Sequence, residues 1–159
     1  MENFCTVYYK SAPGLMEISG DDEGIISLYF TEKKSGRKKS NPGKIPVPLK
    51  KCLRQLDEYF AGRRKNFELL LKPEGTWFQK KVWKQLLKIP FGKTMSYGEI
   101  AARTGNSKAS RAVGNANNKN KIAVIIPCHR VIGSKGDLTG YAGGLKKKKW
   151  LLEHEKGFC

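Results

Sequence analysis

Histidine is scarce in this chain: 159 residues contain two, His129 and His154, and only four cysteines, at 5, 52, 128 and 159. The cysteines form no C-x-x-C pair and no close group, which excludes a disulfide framework and a zinc-ligand pattern; no bound metal is expected. No stretch approaches the roughly 18–20 apolar residues that span a bilayer. The opening MENFCTVYYK has no basic region followed by an apolar one, so no secretory signal is read there and the expected compartment is cytoplasmic, or nuclear in a host with a nucleus. Acidic side chains are also few, 14 against 31 Lys and Arg, for a net charge of +17. The imbalance is local. Residues 1–75 carry 14 basic and 10 acidic side chains, whereas residues 76–159 carry 17 and 4. A field of that sign favours a polyanion, most simply nucleic acid. A merely lysine-rich soluble protein is the plainer alternative.

The length suits one domain or two small ones. In the first half, residues 4–10 and 25–30 are rich in aromatic and β-branched side chains and predict strands; LMEIS between them, residues 15–19, can be a third, with GDDEG as a turn. KKSGRKKSNPGK is a basic, breaker-rich loop. In PLKKCLRQLDEYFAG, Leu49, Leu53, Leu56 and Phe60 recur at three- and four-residue steps, predicting a helix stopped by Gly62. FELLL, residues 67–71, predicts a last strand, and KPEGT a linker. Cys5 and Cys52 read as small buried hydrophobes.

The second half opens with TWFQKKVWKQLLKIP, where Thr76 can cap a helix and Phe78, Val82, Leu86 and Ile89 line one face. SYGEIAARTG and NSKASRAVGNANN then predict two short helices separated by Gly105, with Asn106 and Ser107 as capping candidates. A helix, a glycine-containing turn and a helix in a basic segment is a helix-turn-helix pattern. In the second helix Ser110, Ala112, Gly114 and Ala116 are small beside the long Arg111. A helix with side chains is about 10–12 Å across and the DNA minor groove about 6 Å wide. Small residues let such a helix press on the groove while one arginine enters the base stack. Tight helix packing with a solvent-facing arginine accounts for the same composition.

IAVIIPCHRVIG, residues 122–133, reads as a strand running up to Pro127, followed by a thiol, an imidazole and a guanidinium. Along a continuing strand, Cys128 and His129 would point to opposite faces. Proline breaks the strand and places both on a turn that can serve one pocket. A free thiol has a pKa near 8.5, so a nucleophilic cysteine needs a base, and the base needs a carboxylate to orient it. Carboxylates in this half are limited to Glu99, Asp137, Glu153 and Glu155. The alternative is a buried thiol beside a surface histidine.

Taken with RAVGNAN, TGYAGGL and WLLEHE, the PCHRV segment resembles the O6-alkylguanine-DNA alkyltransferases, the direct-reversal DNA repair proteins. The resemblance runs from GTWFQKKVW through WLLEHE. It implies an α+β chain: a small N-terminal α/β domain, residues 1–73, with an antiparallel sheet plus helix (ribonuclease H-like), then a mostly helical domain, residues 74–159, with a winged helix-turn-helix. It implies Cys128 as alkyl acceptor, His129 taking its proton through a water, Glu155 orienting the imidazole, and Asn120 bracing the turn. Tyr97 would hydrogen-bond the flipped guanine and help protonate it. Val131, Tyr141, Ala142 and Gly143 would line the base pocket. Arg111 would fill the gap in the duplex, with Ser110, Ala112 and Gly114 along the minor groove. The implied partner is double-stranded DNA carrying O6-alkylguanine, met by a monomer without cofactor. Lys121 stands where many members carry proline. The resemblance also extends to damage sensors that bind alkylated bases without repairing them, but these lack the acceptor cysteine. A winged-helix transcription factor would leave PCHR and Glu155 idle, and a cysteine hydrolase would leave the basic half unexplained.

Overall fold

The computed structural model describes residues 3–32 and 44–158, and the chain divides into two compact units, Met1–Glu74 and Gly75–Cys159. In the first, β1 (Cys5–Lys10), β2 (Leu15–Asp21) and β3 (Gly24–Phe30) form an antiparallel meander in sequence order. α1 (Val47–Phe60) packs on β2 and β3, and Leu49, Cys52, Leu56 and Tyr59 meet Met16, Ile18, Ile25 and Leu28 in the core. Gly20 is required where α1 comes close: a Cβ there would lie 2.4 Å from the Gly24 carbonyl oxygen and 2.9 Å from Leu49. The prolines at the start of α1 cost nothing, because the first helical N–H groups have no intrahelical partner. Gly62 ends the helix at φ 77°. Apart from Lys44, the basic loop at 33–44 lies outside the described residues.

The fourth strand expected at FELLL does not form. Only Leu71 makes a bridge, parallel to Ile25, through Ile25 N–H to the Leu70 carbonyl (2.8 Å) and Lys72 N–H to the Ile25 carbonyl (2.7 Å). A side chain takes the place of a neighbouring strand. The buried Gln55 accepts from Glu68 N–H at 2.9 Å and donates to the Glu68 carbonyl at 3.1 Å, so this backbone is satisfied without a ladder.

The second unit begins with α2 (Trp77–Leu86), where Thr76 and Gln79 close a capping box. Val82, Trp83 and Leu86 are buried, and the Trp83 indole donates to the Ala116 carbonyl at 2.9 Å. β4 (Met95–Ser96) leads into α3 (Tyr97–Arg103), whose capping box is Ser96 with Glu99. That occupies one of the four candidate carboxylates. The next helix, α4 (Ser110–Asn118), starts later than Asn106 or Ser107 would cap it, and no side chain caps it. Asn106 instead holds the connecting turn, its side chain accepting from Lys108 N–H at 3.0 Å.

No strand runs through residues 122–126: Ile122 is a single bridge residue, 123–125 are turn and 126 a bend. Ile125 N–H donates to the Ala123 carbonyl at 2.8 Å around Val124, whose φ of 69° lies in the left-handed region. Cys128 N–H closes a second tight turn on the Ile126 carbonyl at 2.8 Å, around Pro127 at φ −80°, ψ 65°. An apolar run reads as strand by composition, but here burial comes from packing of the turns: Ile122, Val124, Ile125 and Ile126 are all buried. A 3₁₀ turn, Cys128–Arg130, then feeds β5 (Val131–Ile132), which pairs in parallel with β4. After an irregular stretch, α5 (Leu145–Gly157) completes the unit. Among the described residues no helix is long and apolar enough to cross a membrane.

Candidate active site

Cys128 and His129 share one 3₁₀ turn and are both buried, so their side chains are kept on the same small element. Asn120 braces the chain leading into that turn. Its amide donates to the Ile126 carbonyl at 2.8 Å and the Ile122 carbonyl at 3.3 Å, and its carbonyl oxygen accepts from Ile122 N–H at 3.0 Å. Lys121 is exposed, and the loop is held by Asn120 without need of a proline there.

Behind the histidine lies Glu155 of α5. His129 Nε2 is 2.6 Å from Glu155 Oε2. Arg130 completes the carboxylate's partners, with Nε to Oε1 at 2.8 Å and Nη2 to Oε2 at 3.0 Å, while Nη1 donates to the Ile89 carbonyl at 2.7 Å. Gly92 N–H adds a further donor at 3.2 Å. Burial acts to raise the Glu155 pKa, but these donors outweigh it and hold the carboxyl well below the usual carboxylate range. Burial lowers the His129 pKa, against the pull of Glu155, so the ring is neutral at pH 7. With Nε2–H donating to the carboxylate, the lone pair is on Nδ1, which is buried without a hydrogen-bond partner among the described residues. The imidazole is therefore an oriented, neutral base.

Burial pushes the Cys128 thiol up, partly countered by the Asn120 amide, the Lys148 charge, its own backbone N–H and Tyr141. The resting sulfur is a thiol whose anion has several stabilising groups near it. The Tyr141 hydroxyl is pushed well above its ordinary value, first by burial and then by its closeness to Cys128, but its geometry falls short of a hydrogen bond. Tyr97 donates to the Thr139 carbonyl at 3.1 Å. Val131 is buried beside the turn, Gly143 is half-buried and Ala142 exposed.

The helix residues divide by face. Arg111 and Ala112 are exposed, as is Asn115, while Ser110 and Gly114 are half-buried. A Cβ on Gly114 would lie 3.8 Å from the Tyr97 ring, so that glycine faces α3. The 3.6-residue period set by buried Val113, Ala116 and Asn117 marks this division, and would have singled out Asn115. Three participants carried weaker signals. Arg130 follows the histidine directly. Asn117 looks like an ordinary helix residue, yet it is buried and donates to the Cys128 carbonyl at 3.3 Å. Lys148 is hidden within a run of four lysines.

A buried thiol one residue from a neutral, oriented imidazole is an arrangement found in proteins that use sulfur as a nucleophile, and its carrier here is a basic unit with a helix-turn-helix. Comparison with known proteins narrows that class. A family model described as 6-O-methylguanine DNA methyltransferase, DNA binding domain, matches residues 77–157. A second, for the ribonuclease-like domain of the same proteins, matches residues 5–73. The chain belongs to the O6-methylguanine DNA methyltransferase family. It is 49% identical over 160 residues to the methylated-DNA–protein-cysteine methyltransferase of Methanosarcina acetivorans, covering 95% of this chain and 97% of the relative. It is 45% identical over 153 residues to that of Mycobacterium tuberculosis, covering 94% and 93%. A crystal structure of Mycobacterium tuberculosis OGT in complex with DNA superposes with a TM-score of 0.85 at 43% identity, covering 99% of this chain and 94% of the other.

Proposed function

We propose that this protein repairs O6-alkylguanine in duplex DNA by moving the alkyl group onto Cys128, once per molecule. Supporting this reading above all is the chain of contacts His129–Glu155–Arg130, which keeps a neutral base beside a thiol in a family whose relatives are named for transfer to a protein cysteine. The thiol proton passes toward His129 Nδ1 as sulfur attacks the alkyl carbon. A carbon–sulfur bond forms, the carbon–O6 bond breaks, and guanine leaves with a proton supplied through the Tyr97 hydroxyl. The product is a thioether, which no group of this site is set to hydrolyse.

Duplex DNA has to surrender the target base, because the sulfur is buried and the base is stacked. The proposed approach is through the minor groove, with Arg111 in the vacated position and Ala112 and Asn115 on the same exposed face. The flipped base would sit among Val131, Tyr141 and Gly143, with Ala142 at the rim. The protein acts as a monomer without cofactor, in whichever compartment holds the DNA, the cytoplasm or a nucleus. Intact-mass measurement after mixing with an O6-methylguanine duplex should show one added methyl group, on the peptide containing Cys128, and none in Cys128→Ala. Repeated turnover without an adduct, or binding without an adduct, would overturn the acceptor role, the second outcome favouring a damage sensor.

A further inference from the structure

Residues 115–120 hold four asparagines, Asn115, Asn117, Asn118 and Asn120. Three have a place inside the chain. Asn117 is buried against the Cys128 carbonyl, and Asn120 braces the approach to the cysteine turn. Asn118 lies against Gly140, where an added Cβ would come 3.4 Å from its amide nitrogen. Asn115 is the exception. It is exposed in the middle of α4, and its side chain makes no hydrogen bond among the described residues. Asparagine is a poorer helix former than alanine or lysine, because its amide competes for nearby backbone groups. The residue therefore costs helix stability and returns no contact within the chain. Its surroundings keep the amide open. Asn115 borders a hollow of about 560 Å³ between the start of α2 and α4, which Thr76, Gln79 and Ala112 also line.

The helix also sets what this amide can reach. Arg111 and Asn115 are about one turn apart on the exposed face, roughly 6 Å along the axis at about 1.5 Å per residue. The small Ala112 keeps the surface between them low. Phosphates recur about every 3.4 Å along a strand, so with Arg111 in the vacated position Asn115 falls one or two base pairs away. There it meets the minor-groove edge. A·T pairs show only acceptors on that edge, whereas G·C adds the guanine 2-amino donor. An amide carries both kinds of group, N–H donors and an acceptor oxygen. It pairs fully with guanine, donating to N3 and accepting from the 2-amino group; against A·T its oxygen is left without a donor. Lys119, at the end of the same helix, carries a charge and suits phosphate, which holds no sequence information.

We infer that Asn115 reads a base pair beside the lesion, favouring guanine there through its 2-amino group, and so gives repair a sequence-context preference. This deepens the alkyl-transfer reading and rests on it.

The test uses the full chain and Asn115→Ala, on O6-methylguanine duplexes in which the two pairs on either side of the lesion are G·C. Each flanking guanine is replaced in turn by inosine, which removes the 2-amino group and leaves the major-groove edge unchanged. The second-order rate of methyl transfer is read below saturating protein, with the lesion fixing the register. Inosine at one of these positions should slow the wild type on the order of fivefold, the low end of what a base contact discriminates. The same replacement should leave Asn115→Ala unaffected. On the all-guanine duplex, Asn115→Ala should react about as slowly as the wild type does on that inosine duplex. An I·C pair opens more easily than G·C, but this acts on both proteins alike and cancels in the ratio. Alanine is the better helix former, so the variant keeps its fold. Wild-type rates that agree within about twofold across all the duplexes would overturn the inference. So would a loss of equal size in Asn115→Ala on every duplex, which marks a phosphate contact. If the wild type takes no methyl group from any duplex, the alkyl-transfer reading fails instead, and duplex affinities over the same set decide Asn115.

Discussion

At the scale of single residues, Glu155 has the most partners of any group in the site. It is 1% exposed and accepts from His129, from Arg130 through two nitrogens, and from the Gly92 backbone. A buried carboxylate is tolerable only when so surrounded. Its two tasks, orienting the imidazole and neutralising Arg130, are separable by substitution. Glu155→Gln keeps the shape but leaves the buried guanidinium without its counter-charge, which should cost about 3–5 kcal/mol in denaturant unfolding. Methyl transfer should fall at least about tenfold, because the neutral amide no longer stabilises an imidazolium forming at His129. Unchanged stability would mean that Arg130 finds another partner.

Among the elements, the segment between α4 and the cysteine turn shows how a loop can be made rigid without a ladder. Val124 holds φ 69°, which costs on the order of 1–3 kcal/mol for a side chain of this kind. Asn120 spans the segment with three hydrogen bonds and so fixes where Cys128 begins. Asn120→Ala should lose about 3 kcal/mol of stability, at about 1 kcal/mol for each bond. It should also slow alkyl transfer while leaving DNA affinity nearly intact, since Arg111, Ala112 and Asn115 are untouched. A melting curve, a transfer time course and a duplex titration together check this. A large loss of affinity would show that the brace also positions α4.

For the whole molecule, charge and burial combine in the response to acid. His129 is buried neutral with its pKa lowered, so the unfolded chain binds a proton first as the pH drops below about 6.5. Glu155 has a depressed pKa, so its contribution is present above the unfolded value of about 4.3 and is lost as pH falls below it. Both effects have the same sign, and the repulsion of a +17 chain adds to them. Stability should therefore fall on acidification from about pH 6.5, by up to about 1.4 kcal/mol per pH unit for each proton taken up. Chemical denaturation at a series of pH values, in about 0.3 M salt to screen surface repulsion, measures it. A flat profile between pH 7 and 5 would exclude the buried neutral histidine.

Much of this was determined by sequence alone. The strands at 5–10 and 24–30 follow from their aromatic and β-branched runs, that at 15–21 from its place between them, and α1 and α2 from apolar spacing and the Thr76 cap, because these depend on local periodicity and hydrogen bonding. Cys128 and His129 stood out because thiols and imidazoles are few in the basic half, whereas Glu155 was singled out from four carboxylates only by the family resemblance. Other features depend on which groups the fold brings together. FELLL has strand composition, but Gln55 satisfies part of its backbone, and the apolar run before Pro127 is buried as turns because Asn120 ties its carbonyls. Composition cannot show which of four consecutive lysines faces inward. Only the packing of α5 against the cysteine turn selects Lys148, since burial belongs to a face and not to a residue type.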